Sequence, residues 1–285
     1  MNDPGILVAP EWLAEHLEDP DVVVADVRWS PAGGTPAAEA AFAQGHIPGA
    51  VFLDVDRDLA ARAFVDGPGR HPLPTPGAFA ATLGAAGIGD GDLVVCSDDV
   101  RGSVAARLWW MLDGTGRRAA LLDGGVPAWT GPLETGPGAR RTPAAFEARP
   151  WPPGRVVDAH DVARALESGI LVLDARAAER YRGDVEPIHP VAGHIPGARS
   201  APWDRNVNPD TGRFLDPESL RSLYGRLGVR DAAGAIAACG SGVTTCHDLF
   251  AMRLAGLGDA HLYQGSWSDW VHDRSRPVAT GPDPG

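Results

Sequence analysis

The stretch Ala235-Ile-Ala-Ala-Cys239-Gly-Ser-Gly-Val-Thr-Thr-Cys-His-Asp-Leu-Phe-Ala-Met-Arg-Leu254 decides the fold. Its first five residues are an apolar run that reads as a buried parallel strand. From Thr244 onward Leu249, Phe250, Met252 and Leu254 recur at helical spacing, which predicts a helix. Cys239 then sits between the carboxyl end of a strand and the amino end of a helix, where open α/β sheets place their chemistry. Gly240 and Gly242 let the connecting backbone curl so that successive N–H groups turn inward. Such a nest, backed by the helix dipole, stabilises an anion at its centre. Here that anion would be the Cys239 thiolate, the nucleophilic form of the side chain. A cysteine that only filled space at a strand end would have no need of the two glycines after it.

The chain around this stretch has 285 residues, enough for two ordinary domains each with its own core. With 44% hydrophobic and 22% charged residues it has the composition of a soluble globular protein. No apolar run reaches the length of a membrane span, and the opening Met1-Asn-Asp-Pro-Gly5 lacks the basic and apolar regions of a leader, so the cytoplasm is the expected compartment. Three widely spaced cysteines argue against a disulfide framework and suit a reducing environment. A net charge of −12 repels nucleic acid and acidic membrane surfaces, so neither is expected as a partner. All 25 basic residues are arginine, so an anionic substrate must be held by guanidinium groups, backbone N–H groups or hydroxyls.

In chain order, Pro10 to Leu17 has a helical pattern and Val22-Val-Val-Ala-Asp26 is a buried strand. His46-Ile-Pro-Gly-Ala50 follows, then a strand at Leu93 to Cys96, a helix from Gly102 to Leu112 and a strand at Ala119 to Leu122. Helices alternating with apolar strands argue a parallel sheet flanked by helices. Between Gly131 and Gly154 proline and glycine accumulate and periodicity is lost, as in a linker. Then the pattern repeats. Leu171-Val-Leu-Asp174-Ala-Arg176 answers Val23-Val-Ala-Asp26-Val-Arg28, and His194-Ile-Pro-Gly-Ala198 answers His46 to Ala50, both at an offset of 148. Gln264-Gly-Ser-Trp-Ser-Asp-Trp270 answers Asp123 to Trp129 at an offset of 141, and at that offset Cys239 falls on Asp98. Two domains of one fold follow: residues 1–140, a linker at 141–154, and residues 155–280. The tail from Pro277 to Gly285 is expected to lack fixed structure.

The repeat separates scaffold from chemistry. His46 and His194 lie in identical turns, one of them far from any candidate nucleophile, and read as turn-closing residues. Trp129 and Trp270 read as packing residues in the same way. Features confined to one half are the candidates for function: Cys239 with its loop, Arg180 in Glu179-Arg-Tyr-Arg-Gly183, and Asp56 and His71 in the first half. A cleft between the domains would gather them. Cys246 reads as a buried helix residue and Cys96 as a packing residue at a strand end. Cys239, Cys246 and His247 do not make a metal site, because the latter two leave along a helix and no fourth ligand is evident, so no metal is expected.

With the repeat in hand, the chain resembles the tandem-domain rhodanese family of sulfurtransferases over nearly its whole length. The resemblance rests on the doubled His-Ile-Pro-Gly-Ala, on Asp-Gly-Gly and Gln-Gly-Ser before the two late tryptophans, and on one cysteine loop matched by one loop without cysteine. The loop Cys239-Gly-Ser-Gly-Val-Thr244 is similar to that of the 3-mercaptopyruvate sulfurtransferases within the family, whereas thiosulfate sulfurtransferases typically carry Cys-Arg-Lys-Gly-Val-Thr.

The resemblance implies an inactive first domain and a catalytic second one, with no cofactor. Cys239 would attack the sulfur of 3-mercaptopyruvate, pyruvate would leave as its enolate, and the Cys239 persulfide would pass its sulfur to a thiol such as thioredoxin, or to cyanide. N–H groups of Gly240, Gly242, Val243 and Thr244 would hold the persulfide. Arg180 would bind the donor's carboxylate through its planar fork, and Ser241 would be polarised by His71 and Asp56 in a relay that protonates the enolate. The family's mercaptopyruvate enzymes often place a second arginine nine residues beyond the first; His189 stands there, with Arg182 as a substitute. Because Gly240 and Ser241 bring no cation, the dianion thiosulfate is expected to be the poorer donor, and thiosulfate sulfurtransfer is the alternative reading. A non-catalytic sulfur carrier or binding module is a further one. Phosphatases of this fold need Cys-x5-Arg, and Thr245 stands where that arginine would be.

Overall fold

The computed structural model describes residues 4–30, 33–65 and 67–285; residues 1–3, part of the opening stretch read above for a leader, lie outside it. The described chain divides into two compact units. The first comprises Met1–Ala61, Pro74–Pro152 and Asp210–Arg213, and the second Arg62–Leu73, Pro153–Pro209 and Phe214–Gly285. The arm Arg62–Leu73, which the sequence reading counts with residues 1–140, therefore packs with the second unit.

Strands of the first unit are β1 (Leu7–Val8), β2 (Val22–Asp26), β3 (Val51–Phe52), β4 (Leu93–Ser97) and β5 (Ala119–Leu122), all parallel in the order β1-β5-β4-β2-β3. Every residue of β2, β4 and β5 is buried, as expected of strands covered on both faces by helices. The second unit has β6 (Val156–Val157), β7 (Leu171–Asp174), β8 (Arg199–Ser200), β9 (Ala235–Ala238) and β10 (His261–Tyr263), in the order β6-β10-β9-β7-β8. Subtracting five from each label returns the first order. The register repeats as well, since Val23 faces Val94 in one sheet and Leu171 faces Ala235 in the other, a pair related by the same two offsets.

The repeated motifs hold each unit in the same way. Arg28 clasps Asp26 and donates to Gly45 O, and Arg176 clasps Asp174 and donates to Gly193 O. His46 stacks on Phe42 and bonds its carbonyl through Nδ1; His194 stacks on Tyr181 and does likewise. Both histidines are fully buried, which fits the turn-closing role. Trp129 and Trp270 pack on the two cores.

Two stretches differ from expectation. Up to Pro152 the aperiodic stretch packs on the first unit: Ala144 donates to Gly84 O, Phe146 meets Phe79 edge-on, and Trp151 Nε1 donates to Pro74 O. The absence of periodicity there marks extended backbone laid on a surface. The tail is likewise held, contrary to the expectation for Pro277 to Gly285, because Ala279 pairs with His194, Gly281 donates to Arg182 O and Pro284 O accepts from Gly197. Backbone pairing with the turn fixes a segment whose composition alone would leave it loose.

Helix Thr245–Leu254 is buried from Thr245 to Met252 and carries Asp248 inside. Asp248 Oδ1 accepts from Asn206 at 2.7 Å, while Oδ2 has no hydrogen-bond partner among the described residues. Burial pushes its pKa up to about 8, with the bonds from Asn206 and Tyr224 opposing only in part. The folded chain thus keeps a proton that an unfolded Asp releases near ~4, so this group makes stability fall as pH rises from about 4 to about 8, by up to ~1.4 kcal/mol per pH unit. Asp248→Asn should flatten that slope in melts recorded from pH 5 to pH 8. Equal slopes in the two proteins would contradict the assignment.

Candidate active site

Cys239 follows β9 directly, 3% exposed, and its loop hangs on Gln264–Ser268, the turn from β10 into the helix Ser266–Trp270. Cys239 N–H donates to Ser266 Oγ at 3.0 Å, Trp267 N–H to Cys239 O at 3.0 Å, and Ser268 N–H to Gly240 O at 3.0 Å. With these two carbonyls turned onto that neighbour, amides of the loop can face the sulfur, and Gly242 N–H reaches Cys239 Sγ at 3.2 Å. Gly242 has φ +77°, and a Cβ there would come within 2.4 Å of Gln264 O, so the position demands glycine twice over. Gly240 is not in the left-handed region. A Cβ there would lie 3.3 Å from His189 Cε1 and 3.8 Å from Arg180 Nη2, so this glycine leaves room for those two side chains. Val243 and Thr244 complete the loop, their carbonyls accepting from Cys246 and His247 at the start of the helix. Cys246 Sγ bonds Gly242 O at 3.5 Å, within the wall of the loop.

The arm supplies the next layer. Gly69 has φ +77° and lies so close to the same turn that a Cβ would come within 2.6 Å of Gly265 O. Arg70 N–H donates to Ser268 Oγ at 3.1 Å and Leu73 N–H to Gln264 Oε1 at 3.0 Å. One turn therefore positions both the cysteine loop and the arm. The result is His71 Nδ1 at 2.7 Å from Ser241 Oγ, with both residues buried, and Arg70 Nη2 at 3.5 Å from the same oxygen. Asp56 lies in the first unit, where its Oδ2 accepts from Trp29 Nε1 at 3.0 Å.

Arg180 stands on the short helix Ala178–Arg182, which Gly183 ends in a left-handed conformation. Its Nη2 donates to Glu186 Oε1 at 2.8 Å, and its buried Nε has no hydrogen-bond partner among the described residues. Arg176 approaches Glu186 Oε2 at 3.4 Å, its guanidinium lying 4.6 Å from the centre of the Trp267 ring. Burial would raise the Glu186 pKa, but hydrogen bonds from His189 and Arg180 and the guanidinium charge outweigh it and hold the carboxyl at about 2. His189, with Nδ1 at 3.1 Å from Glu186 Oε1, completes the cluster. Arg182 turns away to Asp184 at 2.7 Å and is 38% exposed, so it does not take the place of a second arginine at the loop.

The first unit offers an internal comparison. Asp98, at the position equivalent to Cys239, is fully buried and accepts N–H bonds of 2.7 to 2.9 Å from Val100, Gly102, Val104 and Ala105. Burial raises its pKa and these four bonds work against the rise. Val126 N–H caps Asp98 O as Trp267 N–H caps Cys239 O. Loops at this place in the fold gather amides around an acceptor.

Sequence reasoning missed Arg70 and Glu186. Arg70 adjoins His71 and could have been taken with it, whereas Glu186 lies in an aperiodic stretch and carries no pattern. A pocket of about 710 Å³ bordered by Ala178, Pro202, Arg205, Leu223 and Arg226 includes none of the site residues. Among the described residues no three His, Cys, Asp or Glu side chains group as a metal would require, and no helix is long and apolar enough to cross a membrane.

Residues 9–132 and 158–273 each match the family model of the rhodanese-like domain. A Pseudomonas aeruginosa protein named as a probable 3-mercaptopyruvate sulfurtransferase is 44% identical, over 99% of this chain and all of its own. SseB of Mycobacterium tuberculosis, named as a putative thiosulfate sulfurtransferase, is 37% identical over 97% of each chain. The crystal structure of SseA from Escherichia coli, whose description concerns 3-mercaptopyruvate sulfotransferases, superposes with a TM-score of 0.79 at 32% identity, covering 92% of this chain and 98% of its own.

Proposed function

The chain belongs to the rhodanese-like family, and from that premise we propose that it is a sulfurtransferase of the 3-mercaptopyruvate type working through a persulfide on Cys239. The thiolate attacks the donor's sulfur; an S–S bond forms as the C–S bond breaks, and the bonding pair stays on the methylene carbon as pyruvate enolate. The proton of the donor's thiol passes by way of Ser241 and His71 to that carbon, so pyruvate leaves and Cys239 retains an anionic persulfide. Amides from Gly240 to Thr244 receive the persulfide's charge and Arg180 receives the donor's carboxylate.

The observation that carries the choice of donor is the 2.7 Å contact of His71 with Ser241 inside the nucleophile's own loop. An enolate must be protonated to become pyruvate, whereas sulfite departs from thiosulfate as a stable anion and needs no relay. The loop's lack of cations is a weaker argument than the sequence alone suggests, because Arg70 brings a guanidinium to 3.5 Å from Ser241 Oγ. Single-turnover loading of Cys239 with each donor tests the reading. 3-Mercaptopyruvate should exceed thiosulfate by at least about tenfold in efficiency, a difference of ~1.4 kcal/mol in the barrier. Equal efficiencies would favour the thiosulfate reading, which the name of SseB also supports.

Arg180→Ala should act on binding. Losing one charge-assisted pair costs about 1.5–3 kcal/mol, so the KM for 3-mercaptopyruvate should rise roughly ten- to a hundredfold in steady-state pyruvate release. An unchanged KM would remove Arg180 from the site. The same proposal takes residues 1–140 as the inactive domain, apart from the arm Arg62–Leu73, which serves the catalytic domain at 155–280; of the stretch 141–154, the part up to Pro152 lies on the first unit. It takes a thiol such as thioredoxin as acceptor and the cytoplasm as compartment, on the strength of three free cysteines.

A further inference from the structure

His189 is buried to all but 8%, and its Nε2 has no hydrogen-bond partner among the described residues. The ring's Cε1, bonded to that nitrogen, lies 3.3 Å from where a Cβ on Gly240 would be, with Arg180 Nη2 at 3.8 Å from the same point. The open edge of the imidazole thus borders the residue after the nucleophile, beside the guanidinium assigned to the donor's carboxylate. The other edge is committed. Nδ1 lies 3.1 Å from Glu186 Oε1, an oxygen that also accepts from Ile188 N–H, His189 N–H and Arg180 Nη2. A carboxylate only accepts, so Nδ1 carries the hydrogen. Arg180 Nη2, 3.2 Å from Nδ1, is a donor as well and cannot be its partner; both aim at Glu186. A neutral His189 therefore shows a bare lone pair at Nε2, which repels a carboxylate, while a protonated one shows an N–H that binds it.

Resting on the reading of function above, we propose that His189 is a proton-dependent anchor for the donor, neutral in the empty enzyme and protonated when an anionic donor carboxylate settles against Arg180. Glu186, Arg180 and Arg70 act on it directly, and Arg176 acts through Glu186. Glu186, from its own segment, favours the proton; Arg180 from the helix Ala178–Arg182 and Arg70 from the arm oppose it; Arg176 engages the other oxygen of Glu186. Burial first, and then the charges of Arg70 and Arg180, hold the imidazole below its ordinary pKa against the pull of Glu186. A carboxylate arriving at Nε2 reverses that balance, so the donor and a proton bind together. A second arginine at position 189 would supply a permanent charge; histidine makes the charge conditional on pH.

The test follows steady-state pyruvate release from 3-mercaptopyruvate between pH 6 and pH 9 for the wild type, His189→Arg and His189→Gln. Where the empty enzyme's His189 is neutral and the complex's is protonated, linkage makes the wild-type KM climb about tenfold per pH unit beyond any slope seen in His189→Arg. His189→Arg should keep a low KM to alkaline pH, and His189→Gln should show a high KM without the extra slope. Calorimetry of pyruvate binding to the Cys239→Ser protein at pH 7.5, in phosphate and in Tris, should register close to one proton taken up per pyruvate, and none once His189→Gln is added. The same KM slope in all three proteins, or no proton uptake, would overturn the proposal while leaving the function intact. If none of the three releases pyruvate, yet thiosulfate loads Cys239, the reading of function fails and this inference falls with it.

Discussion

Cys239→Ser should leave no measurable sulfur transfer from either donor, a loss limited only by the detection floor of the assay. The hydroxyl cannot form a persulfide, whereas it can still accept the 3.2 Å bond from Gly242 N–H, so the loop and the melting temperature should survive. Mass spectrometry after incubation with 3-mercaptopyruvate should find one added sulfur in the wild type, on Cys239, and none in the variant. Cys96→Ser and Cys246→Ser should retain most activity. Cys96 is fully buried at the end of β4, where burial and then the charge of Asp98 push its thiol pKa well up, and its Sγ rests on Val94 O. Cys246 is fully buried against Gly242 O. A sulfur found on either would overturn the assignment of the nucleophile.

Ser241→Ala and His71→Ala should each lower kcat for pyruvate release by about a hundredfold or more, the range in which a positioned acid–base group acts. The two losses should not add, because the 2.7 Å pair works as one unit. Loading from thiosulfate should fall much less, since sulfite needs no proton to leave. A structural role for the pair would slow both donors alike. His71→Ala with undiminished pyruvate release would remove the relay and, with it, the main reason for preferring one donor over the other.

The parallel sheet and its duplication were legible because buried parallel strands are short runs of Val, Ala, Leu and Ile, and because the chain states them twice at offsets of 148 and 141, whereas the strand order and the two-residue edge strands rest on pairings distant in sequence. Cys239, Ser241 and Gly242 were legible for the same reason: they stand where a strand passes into a helix, the one place where local pattern and chemistry coincide. The two glycines look alike in sequence but serve different ends: Gly242 answers a backbone angle and Gly240 a neighbour's volume, which no local pattern encodes. Glu186 and Arg70 escaped because their partners are distant in sequence. Arg70 reaches Ser241 across 171 positions, and the aperiodic stretch around Glu186 gives no hint that Arg176, Arg180 and His189 meet there. The ordered tail escaped likewise, because pairing with His194 overrides a composition rich in Pro and Gly.

The buried Asp98 has a meaning beyond its own half of the chain. Counted in bonds from the backbone, a carboxylate oxygen of aspartate stands as far out as the terminal sulfur of a cysteine persulfide: Cβ, then Cγ or Sγ, then the charged atom. The first unit thus carries, permanently and by translation alone, an oxygen analogue of the second unit's covalent intermediate, seated among the N–H groups of Val100, Gly102, Val104 and Ala105. A duplicated domain has in this way kept a standing portrait of a species that its sibling holds for one turnover at a time. Any structure of the sulfur-loaded enzyme can be judged against that portrait within the same molecule, amide by amide.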